Sequence, residues 1–188
     1  DINNDNGIKA LTLVKDLGDA GSMSKEVINW TQGDVMNQFI SGNIAMMVNG
    51  PWQVPTMREQ APDLNWDVTL LPKDAEYASC LGGENFGVID GDNVDAALDF
   101  LQFATSKDEV ASYIDDFGYI AARKDVAEGQ FTDDETMQKF TEEMQYAQPR
   151  GPHAQWPEIS DALSLAVNES ITGTSTPADA AAKAQSTI

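Results

Sequence analysis

Apolar residues recur at helical spacing along most of this 188-residue chain, while only three short runs read as strand. Residues 7–20 place Ile8, Leu11, Val14 and Leu17 every three positions, with Asp5 or Asn6 as the cap. Thr31 is placed to cap a second helix carrying Val35, Met36, Phe39 and Ile40 and ended by Gly42. Further helices are predicted over 93–104, over 107–117 with Ser106 as cap, and over 134–147 with Met137, Phe140 and Met144 on one face. Residues 158–172 align Ile159, Leu163, Val167 and Ile171, and Thr176-Pro177 opens a last helix in the favoured cap-then-proline order. The strand readings are 44–48, 66–71 (closed by Pro72) and 86–89. Strands alternating with helices point to an α/β arrangement. Three strands make a thin sheet, so either further strands go unrecognised or part of the sheet belongs to chain beyond these residues.

Charge narrows the partners. Eleven Lys and Arg stand against 31 Asp and Glu, giving −20 and an isoelectric point near 4.1. Such a field repels phosphate backbones and anionic lipid surfaces, which argues against nucleic acid and membrane-surface binding. The acids are spread along the chain, as on a solvated surface. One cysteine, Cys80, allows no disulfide within the chain. That usage fits a cytoplasmic protein and equally an exported one large enough to fold without staples. Cys80 and the pair Met46-Met47 read as buried packing residues. No apolar run approaches the roughly 18 residues a membrane span needs. The opening DINNDNG has neither a starting Met nor a basic and apolar leader, and reads as a mature chain or an excised fragment.

The chain offers little for catalysis. One histidine and one cysteine cannot build a metal site of the usual spacings, and no phosphate-cradling glycine loop or GxSxG elbow exists. No cofactor is expected. Thirty-one acids contain many carboxylate pairs, so a glycoside-active enzyme stays open as an alternative, as does a structural or adhesive surface domain.

Three stretches carry more information: Asn49-Gly50-Pro51-Trp52, Leu81-Gly82-Gly83-Glu84-Asn85-Phe86 and Pro149-Arg150-Gly151-Pro152-His153. Each couples a conformationally special Gly or Pro to an aromatic, charged or amide side chain, as loops do when they aim functional groups from a rigid scaffold. Together they supply a flat ring, a carboxylate, an amide, a guanidinium and an imidazole. A sugar asks for that set, because its CH face stacks on an aromatic ring while its hydroxyls need planar donors and acceptors. Each stretch has a plainer reading: Trp52 as an anchor under a loop, Gly82-Gly83 as a turn with Glu84 and Asn85 solvated, Arg150 and His153 paired with local acids. Trp30, Trp66 and Trp156 read as packing residues, with Trp156 a second stacking candidate.

The order GxxAMxxNGPW, VTLLP, LGGENFGV, AALDFLQFATSKDEVASYIDDFGYIAARKDV and PRGPHAQWPEIS resembles the extracellular solute-binding proteins of carbohydrate ABC transporters, the maltose-binding-protein-like group. The likeness covers essentially the whole chain, but only the C-terminal half of such a protein. It implies a type II periplasmic-binding-protein-like fold of two α/β lobes, with residues 1–82 and 150–188 in the C-terminal lobe and 83–149 returning to the N-terminal lobe. By the same likeness, Trp52, Gly83, Glu84, Asn85, Arg150 and His153 are candidate sugar contacts. The implied partners are a carbohydrate and the permease subunits of the importer, with any membrane anchor lying outside this chain. The implied place is the surface of a Gram-positive cell, by a lipid anchor, or the periplasm. The maltose binder carries paired aromatics after its last crossover where this chain has only Trp156, so its sugar need not be maltose.

Overall fold

The computed structural model describes all 188 residues. In chain order the elements are α1 (Asp5–Asp19), α2 (Gln32–Ile40), α3 (Val54–Gln60), β1 (Ser79–Leu81), α4 (Val94–Ala104), α5 (Lys107–Tyr113), α6 (Lys124–Ala127), α7 (Glu135–Glu143), β2 (Ala147–Pro149), α8 (Trp156–Thr172) and α9 (Pro177–Thr187). Short 3-10 turns cover Lys25–Asn29, Pro51–Gln53 and Met144–Tyr146. No helix is long and apolar enough to cross a membrane.

The helix ends follow local hydrogen-bond chemistry. Asn4, not Asp5 or Asn6, caps α1 by accepting from the N–H groups of Asn6 and Gly7, both at 3.0 Å. Thr31 and Asp34 form a reciprocal cap on α2. The Thr31 hydroxyl accepts from Asp34 N–H at 3.2 Å, and the Asp34 carboxylate accepts from Thr31 N–H at 2.8 Å. Thr176 caps α9, its hydroxyl accepting from Asp179 N–H at 3.2 Å and donating to the Asp179 carboxylate at 2.7 Å.

The chain divides into two compact units, one of residues 1–35 with 151–188 and one of residues 36–150. The first is a three-helix unit. Leu11 of α1 packs with Ala162 and Ala166 of α8 and with Ala180, Ala181 and Ala184 of α9, and Ile2, Ile8 and Val167 close around them. The alanines let the three backbones approach closely, so a small core is dense. Its one fully buried polar side chain, Ser170, donates its hydroxyl to Ala166 O at 2.7 Å.

In the second unit the only sheet is a parallel pair, β1 beside β2, in register Ser79↔Ala147, Cys80↔Gln148 and Leu81↔Pro149. Val54 and Met57 bury the inner face of α3. Val110, Ala121 and Val126 form a second small core with Tyr113 and Ile114.

The three strands expected from sequence are not formed: 44–48, 66–71 and 86–89 run without ladder hydrogen bonds. A strand exists only through its partner, and none of these runs has one within the 188 residues. The α/β expectation is therefore met only in part, by many helices and one two-stranded sheet. Two packing expectations fail with it. Met46 is 85% exposed with Met47 half-buried, and Cys80, on β1, is exposed. The predicted helices at 107–117 and 134–147 end early, at Tyr113 and Glu143.

Candidate functional site

Trp52 owes its position to two glycines. The Asn49 side-chain oxygen accepts from Gly50 N–H at 3.0 Å, and Pro51 then opens the 3-10 turn Pro51–Gln53. The indole folds back over Gly50, where a Cβ would fall 2.1 Å from its Cη2 atom. Only glycine fits beneath the ring. From the other side comes Gly118, in the left-handed region at φ 66°, where a Cβ would sit 2.8 Å from Pro51 O and 2.9 Å from Pro55 Cδ. That approach brings the Tyr119 ring to 6.2 Å from Trp52, centroid to centroid, with the planes at 49°. Phe117 follows at 6.3 Å from Tyr119, and Tyr113 at 6.1 Å from Phe117. Trp52 is half-buried, so it both packs and presents surface.

Gly83, Glu84, Asn85 and Arg150 are positioned by the sheet. Because β1 and β2 are parallel and Leu81 pairs with Pro149, the two chains leave the ladder side by side at their carboxyl ends. A Cβ on Gly82 would be 3.8 Å from Arg150 Nη2. Two stretches separated by some 65 residues therefore open at one place, the end of a parallel sheet where α/β folds present their loops to ligands. Glu84, Asn85 and Arg150 are all exposed there. The other two arginines are committed: Arg58 holds Asp134 through two bonds of 2.7 and 2.8 Å, and Arg123 holds Asp125. Arg150 makes no such pair, so the plainer reading of it as a partner of local acids does not hold within this chain.

His153 belongs to the other compact unit. Its Nδ1 accepts from Gln155 N–H at 3.1 Å, which places the proton of a neutral ring on Nε2, an outward donor. Trp156, the second stacking candidate, is half-buried at the start of α8. Two surface concavities of about 310 and 600 Å³ lie in the first unit, on α8 with α9 and beside the N-terminus, and none of the six predicted contacts lines either. No group of three or more His, Cys, Asp or Glu converges as a metal site would require.

Sequence reasoning did not single out Tyr119. The signal was available, since Phe117-Gly118-Tyr119 repeats the coupling of glycine to aromatic that marks the other three stretches.

Residues 1–142 match the family described as "Bacterial extracellular solute-binding protein". The chain is 27% identical over 189 aligned positions to "Putative binding protein BAB2_0491" of Brucella abortus (strain 2308), covering 96% of this chain and 46% of that protein. The same figures hold for "Putative binding protein BRA0748/BS1330_II0741" of Brucella suis biovar 1 (strain 1330). This chain belongs to the bacterial extracellular solute-binding protein family. It spans about half the length of the curated relatives it matches. The family is one of non-enzymatic binding components working outside the cytoplasm, with a periplasmic-binding-protein-like fold, and the small sheet among many helices fits part of such a domain.

Proposed function

We propose that the complete protein captures a carbohydrate between two lobes by hinge closure and delivers it to the permease subunits of an ABC importer. The observation that carries this reading is the β1–β2 register, which brings the Gly82-Gly83-Glu84-Asn85 and Arg150 loops together at one end of a parallel sheet. A carboxylate, an amide and an unpaired guanidinium there suit a ligand dense in hydroxyls, and the half-buried face of Trp52 suits its CH surface. In this reading residues 1–82 and 150–188 belong to one lobe of a type II fold and 83–149 to the other. His153 adds a weaker contact. The importer reads the closed state, which sugar favours because it touches both lobes. The protein works at the cell surface of a Gram-positive, held by a lipid anchor outside this chain, or in the periplasm.

Exposed apolar side chains support the two-lobe assignment. Phe86 is 63% exposed, Ile89 91% and Phe100 60%, in the stretch assigned to the N-terminal lobe, whose remaining strands would cover it.

Calorimetry on the complete protein with neutral oligosaccharides tests the reading. Trp52→Ala is expected to weaken binding by about 1–3 kcal/mol through lost ring burial and stacking, with little change in melting temperature. The sugar is expected back unchanged by chromatography after long incubation. Turnover that disappears in Glu84→Gln would move the protein into the glycoside-active class.

A further inference from the structure

We propose that Tyr119 is a second ligand-contacting ring beside Trp52, that Gln130 is the residue positioning it, and that the corner they form selects an oligosaccharide over a monosaccharide. This rests on the carbohydrate reading above.

The argument starts at Gln130, a half-buried side chain on the loop before α7. Its Oε1 accepts from Ala121 N–H at 2.7 Å, while its Nε2 donates to the Asp115 carboxylate at 2.5 Å and to Tyr119 O at 3.1 Å. One amide thus fixes the turn 115–121 on both sides of residue 119, with its donors and its acceptor all engaged. On the remaining side Gly118 lies close to Pro51 and Pro55, since a Cβ there would fall 2.8 Å from Pro51 O and 2.9 Å from Pro55 Cδ. The product of these constraints is the ring geometry. Tyr119 meets Trp52 at 49° rather than in a parallel stack, and Phe117, 57% exposed, extends the row.

Two rings set at an angle cannot both lie flat on one pyranose face. They can each lie on a CH face of successive sugar units in a bent chain, since stacking needs each ring parallel to the face it covers. Gln130 touches no ligand in this scheme. It acts through the turn that carries Tyr119.

The test uses the complete protein and calorimetry with maltotriose, cellotriose and xylotriose, each beside its monosaccharide. Tyr119→Leu, which keeps apolar bulk beside Trp52, is expected to weaken the best trisaccharide about tenfold and to change monosaccharide binding less than twofold. Gln130→Met is expected to weaken the trisaccharide three- to tenfold, yet less than twofold when Tyr119 is already Leu, because the two substitutions remove one interaction. Equal losses in both backgrounds would make Gln130 a merely structural residue. If Gln130→Met does not fold, Gln130→Glu reads out the same cycle, keeping an acceptor for Ala121 while setting a carboxylate against Asp115. Wild-type affinity in Tyr119→Leu alongside weakened binding in Trp52→Ala overturns this inference alone. Unweakened binding in Trp52→Ala, or no probe bound by the wild type, overturns the carbohydrate reading beneath it.

Discussion

The three-helix unit and the segment from Phe86 to Phe103 spend the same kinds of residue in opposite ways. In the first, Leu11, Ala166, Ala180, Ala181 and Ala184 are all but excluded from water where the three helices meet, although Leu13, Leu17 and Leu165 stay at the surface. In the second, α4 buries none of its residues, and Leu98, Phe100 and Phe103 join Phe86 and Ile89 at the surface. Apolar periodicity says only that a face will be covered. It does not say by what. The three-helix unit contains its own cover, in alanines small enough to bring backbones together, whereas the 86–103 segment has aromatic rings with no counterpart among these residues. A chain spanning 46% of its relatives' length is where such a difference is expected.

The largest effect would come from supplying that cover. Five side chains buried at about 1.5–3 kcal/mol each represent roughly 8–15 kcal/mol before the costs of association. The 188-residue chain alone is therefore expected to self-associate and to bind a hydrophobic dye. Adding the complementary half of the complete protein should reverse both, as read by sedimentation. A monodisperse, dye-silent monomer that binds sugar as tightly as the complete protein would break the comparison, because the exposed face would then need no partner.

Point substitutions sharpen it. Leu11→Ala should cost about 2–5 kcal/mol in urea unfolding wherever the three-helix unit is folded, since it opens a cavity against rigid alanine walls. Phe100→Ala should fall within about 0.5 kcal/mol in the 188-residue chain, like other surface changes, and cost about 3–5 kcal/mol in the complete protein. Similar costs for the two residues in the shorter chain would mean that α4 already packs.

Legibility in the sequence followed the same division. The helices with local signals were readable: Thr31 with Asp34 and Thr176 with Pro177 became helix starts, and the stripe from Ile8 to Leu17 became a helix that buries Leu11, half-buries Ile8 and Val14 and leaves Leu17 exposed. Strands were not, because pairing is non-local; the runs at 44–48, 66–71 and 86–89 have strand composition and no partner, while Ser79–Leu81 pairs with Ala147–Pro149 without a clear alternating pattern. The site divides likewise. Glycine and proline marked the loops that carry Trp52, Gly83, Glu84, Asn85 and Arg150, but the approach of Gly82 to Arg150 and of Tyr119 to Trp52 depends on tertiary register.

A small effect is expected at the tie between α3 and α7. Asp134 accepts two bonds from Arg58 and also caps α7 by accepting from Met137 N–H at 3.1 Å. The Arg58 hydrogen bonds, ahead of the cap bond and the Coulomb attraction, hold the Asp134 carboxyl below its ordinary value of 3.8. Arg58 is half exposed, so screening leaves the pair about 0.5–1 kcal/mol. Asp134→Asn keeps a good capping oxygen and should lose only that amount, whereas Asp134→Ala should lose about 0.5–2 kcal/mol more with the cap. A carboxyl whose pKa is lower in the folded chain than in the unfolded one stabilises above the unfolded value and loses that contribution as pH falls through the folded value. The gap between wild type and Asp134→Asn is therefore expected to be flat from pH 7 to about 5, to shrink below about 4 and to close under the folded pKa of Asp134. Urea melts across that range would measure it, and a gap that widens on acidification would show that the pair is not what ties α3 to α7.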